Sequence, residues 1–454
     1  MIHILTALGM AILLVALGEI AGTRTPLLKK IRFPGAVLGG LAGLIAGPSG
    51  FRLGAYLNIE TSTQQIYSHL AAFPALFINI VFACLLLGKP IDQLSKVWNH
   101  ARPHVVMGHV IAWGQYVVGI AITLFILSPF LSVDPLVAPS IAIGFQGGHG
   151  TAAGLTANYQ ALDFADGKTI AYSIATIGVI LATVIYPLLA RVLLQTNKQR
   201  KKVTNYFQSK NNEKELAGKK NKTFSALTGR LTMHFALIAI TILVARLFLD
   251  LLMFVEGNLR PETDQLFSQF IPLFSVVLIS GLFIQLLLQK FNWTSFFSRS
   301  LFNEISAFGL DIVIVSALAA LSLQVVKEYW ITIFLLALGG FCWNLSMFFL
   351  LGPRLFPKAW IPYALSDLGG GTGTTASGLM LIRIADPHQE TNARQTYSEK
   401  QPFYEPIMGG GLVTAMALPM VVKFGLLNTL FITGGILVTW FAYAVLLIRR
   451  KKDS

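Results

Sequence analysis

Eleven stretches of the chain are long and apolar enough to cross a lipid bilayer as helices. A spanning helix needs about 20 mainly apolar residues. That criterion selects residues 2–21, 33–50, 68–88, 104–128, 168–193, 231–255, 270–289, 304–326, 330–351, 403–422 and 424–448. Only 12% of the residues are charged, whereas ordinary globular domains carry about 25%. The sequence therefore predicts an all-α polytopic membrane protein.

Two further apolar stretches, residues 135–160 and 363–382, are interrupted by glycines and are each too short to cross the membrane twice. Irregular backbone at membrane depth is tolerated only where protein buries it or where it lines a water-filled cavity. We therefore predict that both stretches are re-entrant hairpins that contribute to a binding site.

The glycine motifs of these two stretches are related to each other. When the sequence is shifted by 224 positions, Gly147–Leu155 (GGHGTAAGL) aligns with Gly371–Leu379 (GTGTTASGL), and five of nine residues are identical. Each half of the chain then holds five spans and one hairpin, and because five is odd the second copy is inverted relative to the first. The predicted units are a first repeat (1–193), a linker (194–230), a second repeat (231–422) and an extra C-terminal helix with a basic tail (423–454).

Positive charge predicts the orientation of the chain. Residues 194–230 contain ten Lys or Arg and two Glu, so this loop carries 10 − 2 = +8 of the net +14. Basic loops stay in the cytoplasm, and this one favours contact with anionic lipid over nucleic acid. We expect an inner-membrane protein with its N-terminus outside and its C-terminus in the cytoplasm, and no nucleic-acid partner.

At Gly147–Thr151 (GGHGT) the chain resembles the bacterial sodium/glutamate symporter family, whose first re-entrant loop carries a sequence of this type. The inverted repeats, the cytoplasmic central loop and the second Gly/Thr-rich hairpin fit the same layout. The resemblance implies a homodimeric, sodium-coupled carrier of glutamate or a similar small carboxylate, working by alternating access, with Na⁺ as its coupling ion and no other cofactor. Residues 372–377 (TGTTAS) depart from the Ala-Thr-Pro-Thr-Ala type of the glutamate-transporting members, so the chain resembles a divergent branch.

The two motifs supply the groups that such a carrier needs. Na⁺ favours oxygen ligands, and an anionic substrate favours the N–H donors at the N-terminus of a broken helix. We therefore predict that both hairpin tips bind one carboxylate substrate, with sodium beside it. The predicted substrate-binding residues are Gly147, Gly148, His149, Gly150, Thr151, Thr372, Gly373, Thr374, Thr375, Ser377 and Arg383. The predicted sodium ligands are Thr151, Thr375, Asp311 and Asn79.

Several assignments have alternatives. His149 is either a substrate donor, a proton site or a loop histidine bonded to backbone, and Arg383 either pairs with a substrate carboxylate or anchors its helix at the cytoplasmic interface. His109, Gln115 and Asn344, inside predicted spans, predict helix–helix hydrogen bonds. A carrier of another organic anion, sodium- or proton-coupled, shares these features. We expect no enzyme, because the sequence contains no H-E-x-x-H or G-x-S-x-G motif.

Overall fold

The protein is described by a computed structural model that covers residues 2–31, 33–57, 59–89, 94–195, 224–259, 267–357 and 359–450. Within these ranges every regular element of secondary structure is a helix, and turns and loops connect them. Most of the predicted basic linker lies outside the described residues.

The α-helices, numbered in chain order, are α1 Ile2–Arg24, α2 Pro26–Ile31, α3 Gly35–Ala46, α4 Leu53–Tyr56, α5 Glu60–Leu86, α6 Leu94–Ile122, α7 Ser128–Leu131, α8 Ser140–Phe145, α9 Gly148–Gly154, α10 Thr156–Ala161, α11 Gly167–Ile180, α12 Tyr186–Gln195, α13 Phe224–Leu259, α14 Leu273–Lys290, α15 Arg299–Ala319, α16 Leu323–Glu328, α17 Trp330–Leu355, α18 Trp360–Gly370, α19 Thr375–Ala385, α20 Ala393–Tyr404, α21 Leu412–Ala415 and α22 Ala417–Arg450. Turns of π-helix, Thr123–Leu127 and Leu181–Ile185, join α6 to α7 and α11 to α12.

In the described part of the chain, nine continuous helical stretches are long and apolar enough to cross a membrane. They coincide with nine of the eleven predicted spans and confirm the prediction of an all-α, multi-pass membrane protein. They are Ile2–Arg24, Glu60–Leu86, Val97–Leu131, Gly167–Gln195, Arg230–Leu259, Leu273–Lys290, Arg299–Ala319, Trp330–Leu355 and Ala417–Arg450.

The prediction is wrong for two of the eleven spans, 33–50 and 403–422, because neither forms a single helix long enough to cross the membrane. In 33–50 the only long helix is α3, whose 12 residues extend about 18 Å, short of the bilayer core of about 30 Å. In 403–422 the chain leaves α20 at Tyr404 and turns until Leu412. Pro406 and a run of three glycines cause this turn, and Gly410 adopts a positive φ of 84°. Hydropathy alone counted this apolar turn as helix.

The helices form two groups. One group contains α1, α3, α5 and α15, which pack on one another, together with α13 and α14 beside α5. The other is built around α6, which packs against α17, α20 and α22. The two glycine-interrupted segments, α8–α10 and α18–α19, are chains of short helices instead of long ones. Helix α9 contacts α5 and α15 of the first group and also α8, and α8 contacts α6 of the second group, so this segment links the two groups.

Candidate functional site

The tips of the two glycine-interrupted segments meet. Gly148 adopts a φ of 64°, which is readily available only to glycine. A methyl group placed on its Cα would lie 3.6 Å from the Gly373 carbonyl oxygen and 3.8 Å from Thr374 Cγ2. The motifs that align in the sequence are therefore in close contact in space, and both line the same cavity.

This cavity lies between the two helix groups, and its walls differ in chemistry. Helices α5 and α15 contribute a wall that is apolar apart from Ser306. The rest of the lining comes mainly from the two tips, from Ala175 and Val179 of α11 and from one face of α20. The apolar wall is formed by Ile78, Val81, Phe82, Leu85, Leu310 and Ile314.

Helix α20 lines the cavity with side chains that the sequence analysis missed. Tyr397, Lys400, Gln401 and Tyr404 all face the cavity, and Glu405 follows them. Their spacing of i, i+3, i+4 and i+7 places the four on one side of a helix. This periodicity is the sequence signal that could have identified the lining face of α20. It is hard to recognise because it begins in a stretch rich in charged and amide side chains, which is typical of a solvent-exposed loop.

Lys400 is held in a buried chain of polar contacts. Its Nζ lies 3.1 Å from Asp367 Oδ1 and 3.9 Å from the centroid of the Tyr404 ring. The other carboxylate oxygen of Asp367 lies 2.6 Å from His104 Nδ1, and His104 Nε2 lies 3.1 Å from Thr396 Oγ1. These contacts connect α20 to α18 and α6, and they fix the Lys400 side chain at the edge of the cavity.

Glu405 is the second charged group at the cavity. Its Oε1 accepts a hydrogen bond of 2.5 Å from the hydroxyl of Thr375, at the tip of the second segment. Within the described ranges it forms no ion pair. Lys400 and Lys89 are near enough to attract it electrostatically, but Lys400 is paired with Asp367 and the Lys89 ammonium donates to the Ser398 carbonyl at 3.0 Å. Burial, reinforced by Arg299, lowers the pKa of Lys89 to about 8.

The first tip is tied to α20 through Gln146. The Tyr404 hydroxyl donates to Gln146 Oε1 at 2.7 Å, which leaves the amide nitrogen of Gln146 buried without a partner among the described residues. Gln146 lines the cavity. An N–H donor without a partner is therefore available at the site for a ligand oxygen.

The second tip is fixed by polar residues of the predicted spans. Gln115 donates to Asn344 Oδ1 at 2.9 Å and to the Gly371 carbonyl at 2.7 Å. Asn344 in turn donates to Thr372 Oγ1 at 3.0 Å. The predicted helix–helix hydrogen bond is confirmed for this pair. His109 instead stacks on Trp440, with ring centroids 4.1 Å apart.

The structure brings seven of the predicted site residues to the cavity. These are Gly147, Gly148, His149, Gly150, Gly373, Thr374 and Thr375. Of these, His149 is buried and its Nε2 lies 3.0 Å from Thr176 Oγ1. The single proton of that hydroxyl is donated to the Tyr172 carbonyl, so His149 Nε2 acts as the donor.

The other predicted site residues do not line the cavity. Thr151 and Thr372 are buried behind the tips, and the backbone N–H of Ser377 donates to the Thr374 hydroxyl. Arg383 is exposed in the last turn of α19. Asn79 and Asp311 each follow a lining residue, on α5 and α15, and both are partly buried.

Comparison with known families gives a match over most of the chain. The family model described as sodium/glutamate symporter matches residues 1–340, about three quarters of the sequence. No curated protein matches. The matched residues include the first glycine motif and the helices of the apolar wall, whereas Lys400 and Glu405 lie after them. The family match, together with the nine apolar helices of spanning length in the described part of the chain, shows that the chain belongs to the sodium/glutamate symporter family.

Proposed function

We propose that this sodium-coupled transporter carries L-glutamate or a similar small carboxylate together with Na⁺ by alternating access. The observation that supports this most strongly is the convergence of two related glycine-rich tips, from opposite halves of the chain, on one cavity between two groups of helices. Paired broken segments of this kind are typical of the binding sites of secondary transporters.

The substrate carboxylate would bind at the polar wall. The amide nitrogen of Gln146, which has no partner among the described residues, and the ammonium group of Lys400 are both donors at the cavity. Helix α19 begins there at Thr375, and the N–H groups and dipole of a helix N-terminus favour negative charge. Direct binding by Arg383 is not part of this proposal, because its side chain is exposed away from the cavity.

Sodium would bind beside the substrate, through oxygen atoms. We propose Thr375 and Thr151 as ligands, because Thr375 lines the cavity and the hydroxyl of Thr151 is buried without a partner among the described residues. Asn79 and Asp311 would supply further oxygens from α5 and α15. The Asn79 side-chain oxygen is likewise buried and without a partner in the described ranges.

Alternating access would require the polar tips and α20 to move relative to the apolar lining from α5 and α15. Apolar side chains on α5 and α15 form no hydrogen bonds that must break when the tips and α20 slide past them. We place the protein in the inner membrane, with the N-terminus outside and the C-terminus in the cytoplasm, as a homodimer. The exposed faces of α1, α13 and α22, the least buried of the long helices, would face lipid or the second copy.

Uptake of radiolabelled L-glutamate into proteoliposomes that contain the purified protein tests this proposal. An inward sodium gradient should cause accumulation, and an equal potassium gradient should not. If glutamate stays outside under both gradients, the substrate is wrong, and competition by a panel of other carboxylates becomes the next step.

A different organic anion is the second candidate. Two observations favour it. Residues 372–377 differ from the Ala-Thr-Pro-Thr-Ala type of the glutamate-transporting members, and Lys400 and Glu405, which line the cavity, lie outside the residues that the family model matches. Accumulation of another carboxylate, but not of glutamate, under a sodium or proton gradient would identify it.

A further inference from the structure

We propose that Glu405 selects substrates that carry a cationic amino group and rejects dicarboxylates of the same length that lack one. This inference rests on the proposed transport of a small carboxylate. It assigns to one residue the choice between an amino acid and a simple dicarboxylate.

The balance of charge at the cavity is the first argument. Among the described residues that line it, Lys400 and Glu405 carry the formal charges. Lys400 is already neutralised by Asp367 at 3.1 Å, and both side chains of that pair are almost fully buried. Glu405 is only 9% exposed and has a hydroxyl partner instead of a cation. Lys400, Asp367 and Glu405 therefore sum to one net negative charge. Lys89, which is not among the residues that line the cavity, attracts Glu405 but forms no ion pair with it in the described ranges.

A buried carboxylate without a cation is unfavourable unless a ligand supplies the positive charge. A simple dicarboxylate would add two negative charges beside Glu405, and repulsion between like charges in such a site would exclude it. An α-amino acid with an acidic side chain brings an ammonium group as well. Its three N–H donors can bind the carboxylate oxygens of Glu405 that the Thr375 hydroxyl leaves available.

The other polar groups of the cavity suit the carboxylates of the same substrate. Gln146 presents a buried amide nitrogen without a partner in the described ranges, and Tyr404 fixes its orientation by binding the amide oxygen. Lys400 adds a cation that Asp367 holds in place. Donors and one acceptor carboxylate thus line one cavity, which is the complement of a molecule with both acidic groups and an amine.

The experiment measures selectivity in proteoliposomes as inhibition of sodium-driven L-[³H]glutamate uptake by unlabelled L-glutamate, glutarate and 2-oxoglutarate. In the wild type, both analogues without an amine should inhibit at least about tenfold more weakly than L-glutamate, which is the range expected for a lost charge-assisted hydrogen bond. In Glu405→Gln, the KM for glutamate should rise about tenfold and the preference over glutarate should largely disappear. The sodium concentration for half-maximal uptake should stay unchanged.

Glu399→Gln is the matched control, because Glu399 lies on the same helix but does not line the cavity; its preference should equal that of the wild type. If Glu405→Gln does not reach the membrane, Glu405→Asp keeps the charge and should retain the preference at lower affinity.

The proposal is overturned if glutarate competes as strongly as L-glutamate in the wild type. It is also overturned if Glu405→Gln keeps the preference, or alters only the sodium requirement, which would make Glu405 a sodium ligand. Absence of any glutamate uptake by the wild type would instead reject the proposed function.

Discussion

Gly148 is a residue at which the tips of the two glycine-interrupted segments meet in the cavity. Its φ of 64° lies in the left-handed region, where a side chain other than hydrogen costs about 1–2 kcal/mol. A methyl group on its Cα would make ordinary van der Waals contacts with Gly373 and Thr374. The backbone conformation, and not a lack of space, therefore favours glycine at this position.

Gly148→Ala should reduce sodium-driven uptake by about tenfold or more, the equivalent of 1–2 kcal/mol of strain at the tip, while the protein still inserts and purifies as a folded species. Gly434→Ala in α22 is the matched control, since no atom lies within 4 Å of the added methyl group. Equal uptake by Gly148→Ala and the wild type would show that the left-handed conformation at this tip is not required for transport.

The second prediction is that transport requires the hydroxyl groups of Thr151 and Thr375 in the two glycine motifs. Thr151→Val and Thr375→Val preserve shape but remove the proposed sodium ligands, and Thr375→Val also removes the hydrogen bond to Glu405. Each should abolish uptake without changing the elution volume on size-exclusion chromatography. Thr439→Val, whose hydroxyl bonds only within α22, should transport normally. Normal transport by both motif variants would eliminate the proposed role of these hydroxyls.

At the scale of elements, α20 is the helix that sequence reasoning did not find. Residues 386–402 are rich in charged and amide side chains, and such a stretch is ordinarily solvated. Two charges on or next to this helix, Lys400 and Glu405, are buried because their partners come from elsewhere in the chain: Asp367 in α18 for Lys400, and Thr375 at the start of α19 for Glu405. A local pattern cannot show pairs of this kind, whereas the nine confirmed spans and the two glycine motifs were visible locally.

The predicted spans also failed where a short element interrupts an apolar run. Helix α3 and the turn after α20 are apolar enough to resemble spans, but proline and glycine determine where their backbone stops being helical. Re-entrant position and inverted symmetry depend on where the membrane lies and remain predictions.

The ion pair between α18 and α20 should contribute strongly to stability. Asp367→Asn leaves Lys400 buried without its partner and should destabilise the protein by about 3–5 kcal/mol. Thermal unfolding in detergent, followed by tryptophan fluorescence, measures this. The double variant Asp367→Asn with Lys400→Met should recover part of the loss. Glu304→Gln, at an exposed position of α15, is the control and should leave the midpoint temperature of thermal unfolding unchanged. A midpoint for Asp367→Asn equal to that of the wild type would mean that the pair does not hold α20 in place.

At the scale of the whole molecule, the cavity between the two helix groups should couple the binding of sodium and substrate. If both ligands bind the same closed arrangement, sodium must lower the Kd for glutamate by the same factor by which glutamate lowers the Kd for sodium. Equilibrium binding to purified protein at varied sodium and glutamate concentrations gives both factors. Independent binding of the two ligands would contradict symport through a shared site.

Protection of a single cysteine tests most directly whether the cavity between the tips is the substrate site. In a background with Cys84→Ser and Cys342→Ser, Ser306→Cys places a thiol on the part of the cavity lining that α15 contributes. Ser300→Cys, on an exposed turn of the same helix, serves as the control. The account predicts that glutamate slows labelling of Ser306→Cys by a water-soluble thiol reagent in sodium but not in potassium, and that Ser300→Cys reacts equally in both. Labelling of Ser306→Cys that is unaffected by glutamate in sodium, in protein that still transports, would place the substrate elsewhere.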